Sequence, residues 1–335
     1  MSEAATDGVR HSAVAGLDFR MPAGAAPVAC VDVGGTKVVV NVVDQRGIQG
    51  QRVEMTARQG ASDALARQVL RMIDESCHAA QIRALDIAAV GVASCGPFVL
   101  KRGRVELAAP NICGGLAGTA RGLPNDWTTA PLEAPLREVF GTVRVENDAV
   151  SGLEAERRWG ALRGIANCAY VTWSTGVGVG LSVDGHVLRG KNGNAGHAGH
   201  MFVSDNNDAL CGCGNIGDVE ALVAGNALPR RFSALGYADA DSIFTAASAG
   251  DAKAKDILDD VCRVMGRALY NLVVTLDLQR ISLGGGVFWH HRDYLLPRLQ
   301  SHIDGKLPAL TEGFVLVPAG LQDQVGDYGP LALVV

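Results

Sequence analysis

Two apolar periods alternate along this chain. In "VACVDVGGTKVVVNVVD", Val28 to Asp44, two apolar runs flank a Gly-Gly-Thr stretch, which predicts strand, Gly-rich turn and return strand. "SDALARQVLRMIDESC" instead places Leu65, Val69, Met72 and Ile73 on one face at helical spacing, with Ser62 as the expected N-cap. "DIAAVGVAS" predicts a buried strand ending in a Cys95-Gly96-Pro97 turn. The segment after "TVRVEND" predicts an amphipathic helix with Val150 and Leu153 inward, closed by Gly160. Far downstream, Ile257, Val261, Val264, Ala268 and Leu272 form a second helical stripe, read as core, that leads into the strand "RISLGGG". Strands and helices in alternation predict an α/β architecture.

An internal repeat sharpens this picture. "VDVGGTKVVVNVVD" (Val31 to Asp44) aligns with "VTWSTGVGVGLSVD" (Val171 to Asp184) at a constant offset of 140 residues, so the chain reads as two related halves. Each turn combines Gly with Thr or Ser, so backbone N–H groups and hydroxyls converge on an anion with no Cβ between them. A single such turn is usually only a hairpin, and neither is a Walker A loop. "GVGVGL" also fails the dinucleotide fingerprint, because Leu181 stands where the third glycine belongs. Paired, the two turns predict a polyphosphate held from both sides.

Composition narrows the ligand. A chain of 335 residues that is 48% hydrophobic can bury a sizeable core and make two or so domains. Charged residues are 19% and the formal net charge is -5, so no basic stripe recommends nucleic acid or an anionic membrane as partner. A small neutral or anionic ligand fits better. Eight cysteines are too sparse for a disulfide scaffold, and Cys211 and Cys213 sit too close to bridge comfortably, which favours reduced thiols and a cytoplasmic protein. The first 27 residues lack the apolar core of a signal peptide and read as a flexible extension, too short for a DNA-binding helix-turn-helix. No apolar run approaches the roughly 20 residues needed to span a bilayer.

Two stretches carry candidate chemistry. In "VENDA", Asp148 reads equally well as a general base for a hydroxyl nucleophile and as a cap of the helix that follows. In "KNGNAGHAGHMFVSDNNDALCGCGNIGDVEA", a histidine followed eleven residues later by Cys-x-Cys offers soft ligands for zinc. Two buried thiols with a surface histidine are an equally common arrangement.

At this point the chain resembles the ROK family of sugar kinases, of the actin-like ATPase superfamily, over about residues 28 to 332. Seven motifs follow in that family's order: "DVGGTK", "GVASCGP", "APN" ending at Asn111, "VENDA", "STGVGVG", the "GNAGHAGH" to "CGCGNIGDVEA" signature, and "LGGG". The resemblance implies a two-domain actin-like ATPase (ribonuclease H-like) α/β fold with duplicated halves and a zinc-binding loop. A small domain of 28–146 would be completed by a C-terminal helix at about 320–335, with a large domain of 147–319. It implies ATP on Gly34, Gly35, Thr36, Lys37, Ser174, Thr175, Gly176, Gly178, Gly284, Gly285 and Gly286, with Asp32 near a magnesium ion. It also implies Asp148 as general base and a hexose held by Asn111, Asn147, Asp148, His197, His200 and Glu220, phosphorylated at its 6-hydroxyl. A homodimer is the usual assembly.

Two departures from the family pattern matter. His197 replaces the usual glutamate of "GExGH", so an acceptor-only carboxylate becomes a group that also donates, and substrate preference stays open. Glucose is the default, with amino or acetamido hexoses (kanosamine, glucosamine, N-acetylmannosamine) as alternatives. Asp218 stands where the family has a third cysteine, so the structural zinc set becomes His200, Cys211, Cys213 and Asp218, with His197 facing the sugar. Some relatives use polyphosphate as donor, and others are sugar-sensing repressors without kinase activity, the rival reading from another class.

Overall fold

A computed structural model describes residues 19–116, 122–204 and 209–335. It divides into two compact units, Met1–Glu146 with Leu333–Val335, and Asn147–Ala332. Of the extension expected to be flexible, residues 1–18 lie outside the described residues. The rest is attached: the Met21 N–H donates to the Asp44 carbonyl at 3.0 Å and the Pro27 carbonyl accepts from Ala88 at 2.9 Å.

The first unit is built on a five-stranded sheet in the order β3-β2-β1-β4-β8. Its strands are β1 (Val28–Val33), β2 (Lys37–Asp44), β3 (Gly47–Met55), β4 (Ala89–Ser94) and β8 (Val143–Asn147), with helix α1 (Ala64–Ala80) between β3 and β4. A small second sheet contains β5 (Phe98–Lys101), β6 (Arg104–Leu107) and β7 (Ala130–Pro131), followed by helix α2 (Glu133–Val139). Leu65, Val69, Met72 and Ile73 are fully buried with the valines of β1 and β2, as their spacing predicts. Ser62 is not the cap: α1 starts one residue later, after Asp63, whose carboxylate pairs with Arg67 and does not bond the helix backbone.

The second unit opens with α3 (Asp148–Arg158) and carries a sheet of the same kind, in the order β11-β10-β9-β12-β13. Its strands are β9 (Cys168–Trp173), β10 (Val177–Val183), β11 (His186–Val187), β12 (Arg280–Gly284) and β13 (Val315–Pro318). Between β11 and β12 lie α4 (Val219–Val223), α5 (Ala227–Phe232), α6 (Ala240–Ser248) and the long α7 (Ala252–Leu276). After β12 come α8 (Gly286–His290), α9 (Arg292–Ser301) and α10 (Pro308–Thr311), and after β13 comes α11 (Val325–Ala332). Ile257, Val261, Val264, Ala268 and Leu272 of α7 are buried as the stripe predicts. Trp173 is fully buried and its indole N–H donates to the Val223 carbonyl at 2.8 Å, which satisfies the one polar atom it carries inside.

The repeat is therefore a repeat of topology: a hairpin edge, an antiparallel second strand, then a parallel pair. Its sequence offset is not constant, however. Val33 pairs with Val38 across four residues, whereas Trp173 pairs with Val177 across three. The offset is 140 through the first strand and 139 beyond the turn. Two other expectations change. α3 is closed at Trp159, and Gly160 follows the cap; its backbone lies against the Glu156 carboxylate, which leaves no room for a side chain. The C-terminal helix does not complete the first unit, since α11 packs on α3 inside the second and only residues 333–335 group with the first.

Candidate functional site

The first turn is a braced loop. The Gly34 N–H donates to the Lys37 carbonyl at 2.9 Å, the Thr56 hydroxyl donates to the Gly34 carbonyl at 2.7 Å, and the Thr56 N–H donates to the Thr36 carbonyl at 2.9 Å. With those carbonyls bound, Thr36 and Lys37 remain exposed at the tip. Gly35 lies directly against the Asn111 carboxamide, so the predicted sugar residue and the predicted phosphate turn are neighbours in this unit. Asn111 also contacts the Cys95 thiol at 3.8 Å. Asp32, partly buried, stands two residues before the turn on β1.

The second turn is held from outside. The Ser174 carbonyl accepts from Gly225 at 2.8 Å and the Val177 N–H donates to Glu220 Oε2 at 2.9 Å, while Thr175 stays exposed. Gly178 and Gly180 do not belong to the turn. They lie on β10 under the first turn of α3, where a Cβ at Gly180 would sit 2.4 Å from the Ala149 carbonyl oxygen. Glycine there lets the head of α3 approach the strand, and a Cβ at Gly178 would lie 3.8 Å from Asp148 Oδ1. Gly284 and Gly285 likewise lie against Tyr170 and the Trp173 backbone of β9, whereas Gly286 is open to solvent.

Asn147 and Asp148 occupy different positions at the head of α3 and share one donor, the Ala149 N–H. Asn147 is the N-cap: it is buried, has extended backbone angles, and accepts from the Ala149 N–H at 3.0 Å. Asp148 is the first residue of α3 and remains accessible, although it too accepts from Ala149 at 2.8 Å. Desolvation by surrounding protein pushes its pKa up to about 6; the Ala149 N–H works against the shift, and the Glu220 charge adds to it. The carboxyl is thus open to a ligand while surrounding protein disfavours its charge, an environment suited to a base working near neutral pH.

The loop Gly196–His200 rests on the edge of β10. The Gly196 carbonyl accepts from Val179 at 3.1 Å, and a Cβ at Gly196, whose φ is +90°, would lie 1.9 Å from the Val179 carbonyl oxygen. That close approach sets the two histidines with ring centroids 6.1 Å apart. The carbonyl of Asn194 lies 3.1 Å from His197 Nδ1, so that nitrogen carries the proton and Nε2 is the acceptor. Burial, helped by His200, lowers the His197 pKa, which favours the neutral ring. His200 Nδ1 points elsewhere: it is 3.0 Å from Asp218 Oδ2, 3.8 Å from Cys211 Sγ and 3.6 Å from Cys213 Sγ.

These four residues form a cluster whose ligand atoms all lie within 4.8 Å of one another. Zinc bonds of about 2.0–2.3 Å in a tetrahedron require ligand-to-ligand edges of roughly 3.3–3.8 Å, close to the separations found. The donor set, two sulfurs, one imidazole nitrogen and one carboxylate oxygen, also fits zinc. Asp218 is fully buried; its Oδ1 caps α4 through the Ala221 N–H at 2.8 Å, which leaves Oδ2 for the cluster.

One organising group was not read from the sequence. Glu156 of α3 is fully buried and accepts from Ala161 at 2.9 Å, the Ser282 hydroxyl at 2.9 Å, Gly320 at 3.0 Å and Leu321 at 2.8 Å. It ties the helix that begins at Asp148 to β12 and to the segment after β13. The available signal was a charge three residues beyond Leu153, on the apolar stripe.

Duplicated five-stranded sheets, each with an antiparallel hairpin edge and parallel partners, define the class: an actin-like ATPase fold. Within it, the ROK family model matches residues 28–335, and the chain belongs to the ROK family. It is 29% identical over 329 residues to a glucokinase from Aeropyrum pernix, covering 92% of this chain and 96% of that protein. It is 30% identical over 261 residues to an N-acetylmannosamine kinase of Salmonella newport, covering 77% of this chain and 82% of the relative. Among solved structures, a ROK family glucokinase from Streptomyces griseus in complex with glucose and AMPPNP matches with a TM-score of 0.68 and 26% identity, covering 91% of this chain and 97% of that one.

Proposed function

We propose that the chain is an ATP-dependent sugar kinase that transfers the γ-phosphoryl group to the 6-hydroxyl of a glucose-like hexose, with Asp148 as general base. The observation that carries this reading is the division of labour at the head of α3, where Asn147 caps the helix and leaves the Asp148 carboxyl accessible with a raised pKa. A carboxylate so placed takes the hydroxyl proton as the sugar oxygen attacks the phosphorus in line. The Gly34 and Ser174 N–H groups are engaged inside their turns, so the remaining N–H groups and the hydroxyls of Gly34 to Lys37 and Ser174 to Gly176 would hold the phosphates, with Gly284 to Gly286 on the adenosine side. Asp32 would sit beside a magnesium ion, which neutralises charge on the transferred group.

On the sugar side the proposal keeps Asn111, Asn147, His197, His200 and Glu220. Because His200 Nδ1 belongs to the four-residue cluster, Nε2 is its nitrogen left for a hydroxyl. His200, Cys211, Cys213 and Asp218 would hold one structural zinc ion. Metal analysis of purified protein should find about one zinc per chain, falling sharply in Cys211→Ser. Kinases for amino and acetamido hexoses stay in view, since similarity extends to both a glucokinase and an N-acetylmannosamine kinase. The family resemblance further suggests a cytoplasmic homodimer. The deciding experiment is ADP release over glucose, mannose, glucosamine, kanosamine and N-acetylmannosamine. Turnover with one of them supports the kinase; silence with all, together with sugar-dependent thermal stabilisation, would make the chain a sugar sensor.

A further inference from the structure

Glu220 is the second residue of α4, a helix of five residues between the cluster and the second turn. Its carboxylate touches both. Oε2 accepts from the Val177 N–H at 2.9 Å, and Oε1 lies 3.7 Å from the Cys211 thiol. The fit is close, because a Cβ at Gly176 would stand 2.6 Å from Oε2. The other end of the same short helix holds the other end of the same turn. After α4, the Gly225 N–H donates to the Ser174 carbonyl at 2.8 Å and the Asn226 N–H to the Thr175 carbonyl at 3.4 Å.

The helix therefore brackets the turn from Ser174 to Val177, and what fixes the helix is the cluster. Its N-cap is Asp218, one oxygen of which bonds Ala221 while the other faces His200 and Cys213. The Val219 N–H is held by the Met201 carbonyl at 2.9 Å, next to His200 in the chain. Within the hairpin, β9 ends at Trp173 and β10 begins at Val177, the Ser174 N–H donates to the Gly176 carbonyl at 2.9 Å, and Thr175 is exposed, so the Ser174 and Thr175 carbonyls take their partners from outside the hairpin. A turn whose N–H groups must face an anion needs its carbonyls held back, and the Gly225 and Asn226 N–H groups just after α4 hold two of them.

We propose that Glu220 is a positioning residue through which the His200-Cys211-Cys213-Asp218 loop sets the conformation of the second turn, so that the state of the metal site regulates affinity for the phosphates of a nucleoside triphosphate. The last step rests on the reading of that turn as a phosphate clamp; the positioning itself does not.

Amide hydrogen exchange at Val177 reads the positioning without activity. In Glu220→Ala the Val177 amide should exchange about 10-fold faster or more, whereas Glu220→Gln, which keeps an acceptor oxygen, should stay protected. In the unmutated protein, stripping metal with a chelator should accelerate the same amide, and zinc alone should restore it. Should Glu220→Ala fail to fold, the chelated protein and Glu220→Gln still decide. Unchanged exchange in Glu220→Ala overturns the positioning role, and unchanged exchange after chelation overturns the link to the cluster. A binding arm separates the two readings: affinity for ATP, measured without sugar, should fall about 10-fold in Glu220→Ala. Faster exchange with unaltered ATP affinity would leave the positioning intact and overturn the phosphate clamp.

Discussion

The hairpin of β1 and β2 and the hairpin of β9 and β10 begin from one backbone plan and end in different chemistry. In register, Asp32 corresponds to Thr172, and Val39 to Gly178. The first hairpin thus carries a carboxylate at its strand end and a four-residue turn braced from its own sheet side by Thr56. The second has a neutral hydroxyl there, a three-residue turn gripped by α4, and glycines where the first has Val39 and Asn41. Those glycines admit the head of α3 and so bring Asp148 beside β10. Duplication supplies two Gly-rich turns, and divergence leaves one half with Asp32 at its strand end and the other with Asp148 beside its second strand, the residues proposed above for the metal and for the base.

The sharpest way to break this division is Asp148→Asn, which should lower turnover by roughly 100- to 10000-fold with the fold intact. The same variant should unfold at a higher temperature than the parent at pH 8. The folded carboxyl has its pKa raised to about 6, so its ionised form is disfavoured in the fold; that cost is present above about pH 6 and gone below about pH 4. A variant with full activity, or one destabilised at pH 8, would remove Asp148 from the role. Next in size is the contrast between halves. Asp32→Asn should reduce magnesium-dependent turnover by about 100-fold, while Thr172→Val should change it by less than about 3-fold. Equal effects would mean that the two strand ends are chemically equivalent after all. Smallest is the response to pH. With Asp148 active only when unprotonated, kcat should fall as pH drops through about 6, tending to tenfold per unit below it, and Glu220→Gln should move the midpoint down, because the Glu220 charge helps raise it. A profile flat to pH 5 would separate the base from this carboxyl.

Much of the fold was legible because its signals are local. The stripes of α1 and α7 and the apolar runs of β1, β2, β4, β9 and β12 follow from side-chain period alone. Ser62 failed as a cap because the helix start is a choice between neighbours of similar propensity, and it falls at Asp63, with φ -88° and ψ 3° and no side-chain bond to the helix backbone. The one-residue slip in the repeat was hidden by the valines and glycines on both sides of the turn, which align equally well at either offset. His200, Cys211 and Cys213 were identifiable by ligand chemistry and spacing, and Asp218 only through the family pattern whose third cysteine it replaces; its second duty as the cap of α4 was not legible.

The sequence by itself determined the two halves, the two turns and three of the cluster ligands, His200, Cys211 and Cys213, since each rests on residue type and short spacing; Asp148 as base and Asp218 as fourth ligand rest on the family resemblance. Only the tertiary structure decided which of Asn147 and Asp148 caps α3, which ring nitrogen of each histidine is engaged, and that α11 packs on α3 in the second unit. It also decided that Glu156 and Glu220 hold segments far apart in the chain. Capping, tautomer and desolvation depend on which backbone donors and acceptors come within about 3 Å of a side chain. At these sites, partners such as Val177 and Leu321 are brought there by packing across 43 and 165 residues of chain, a separation over which no local pattern in the sequence extends.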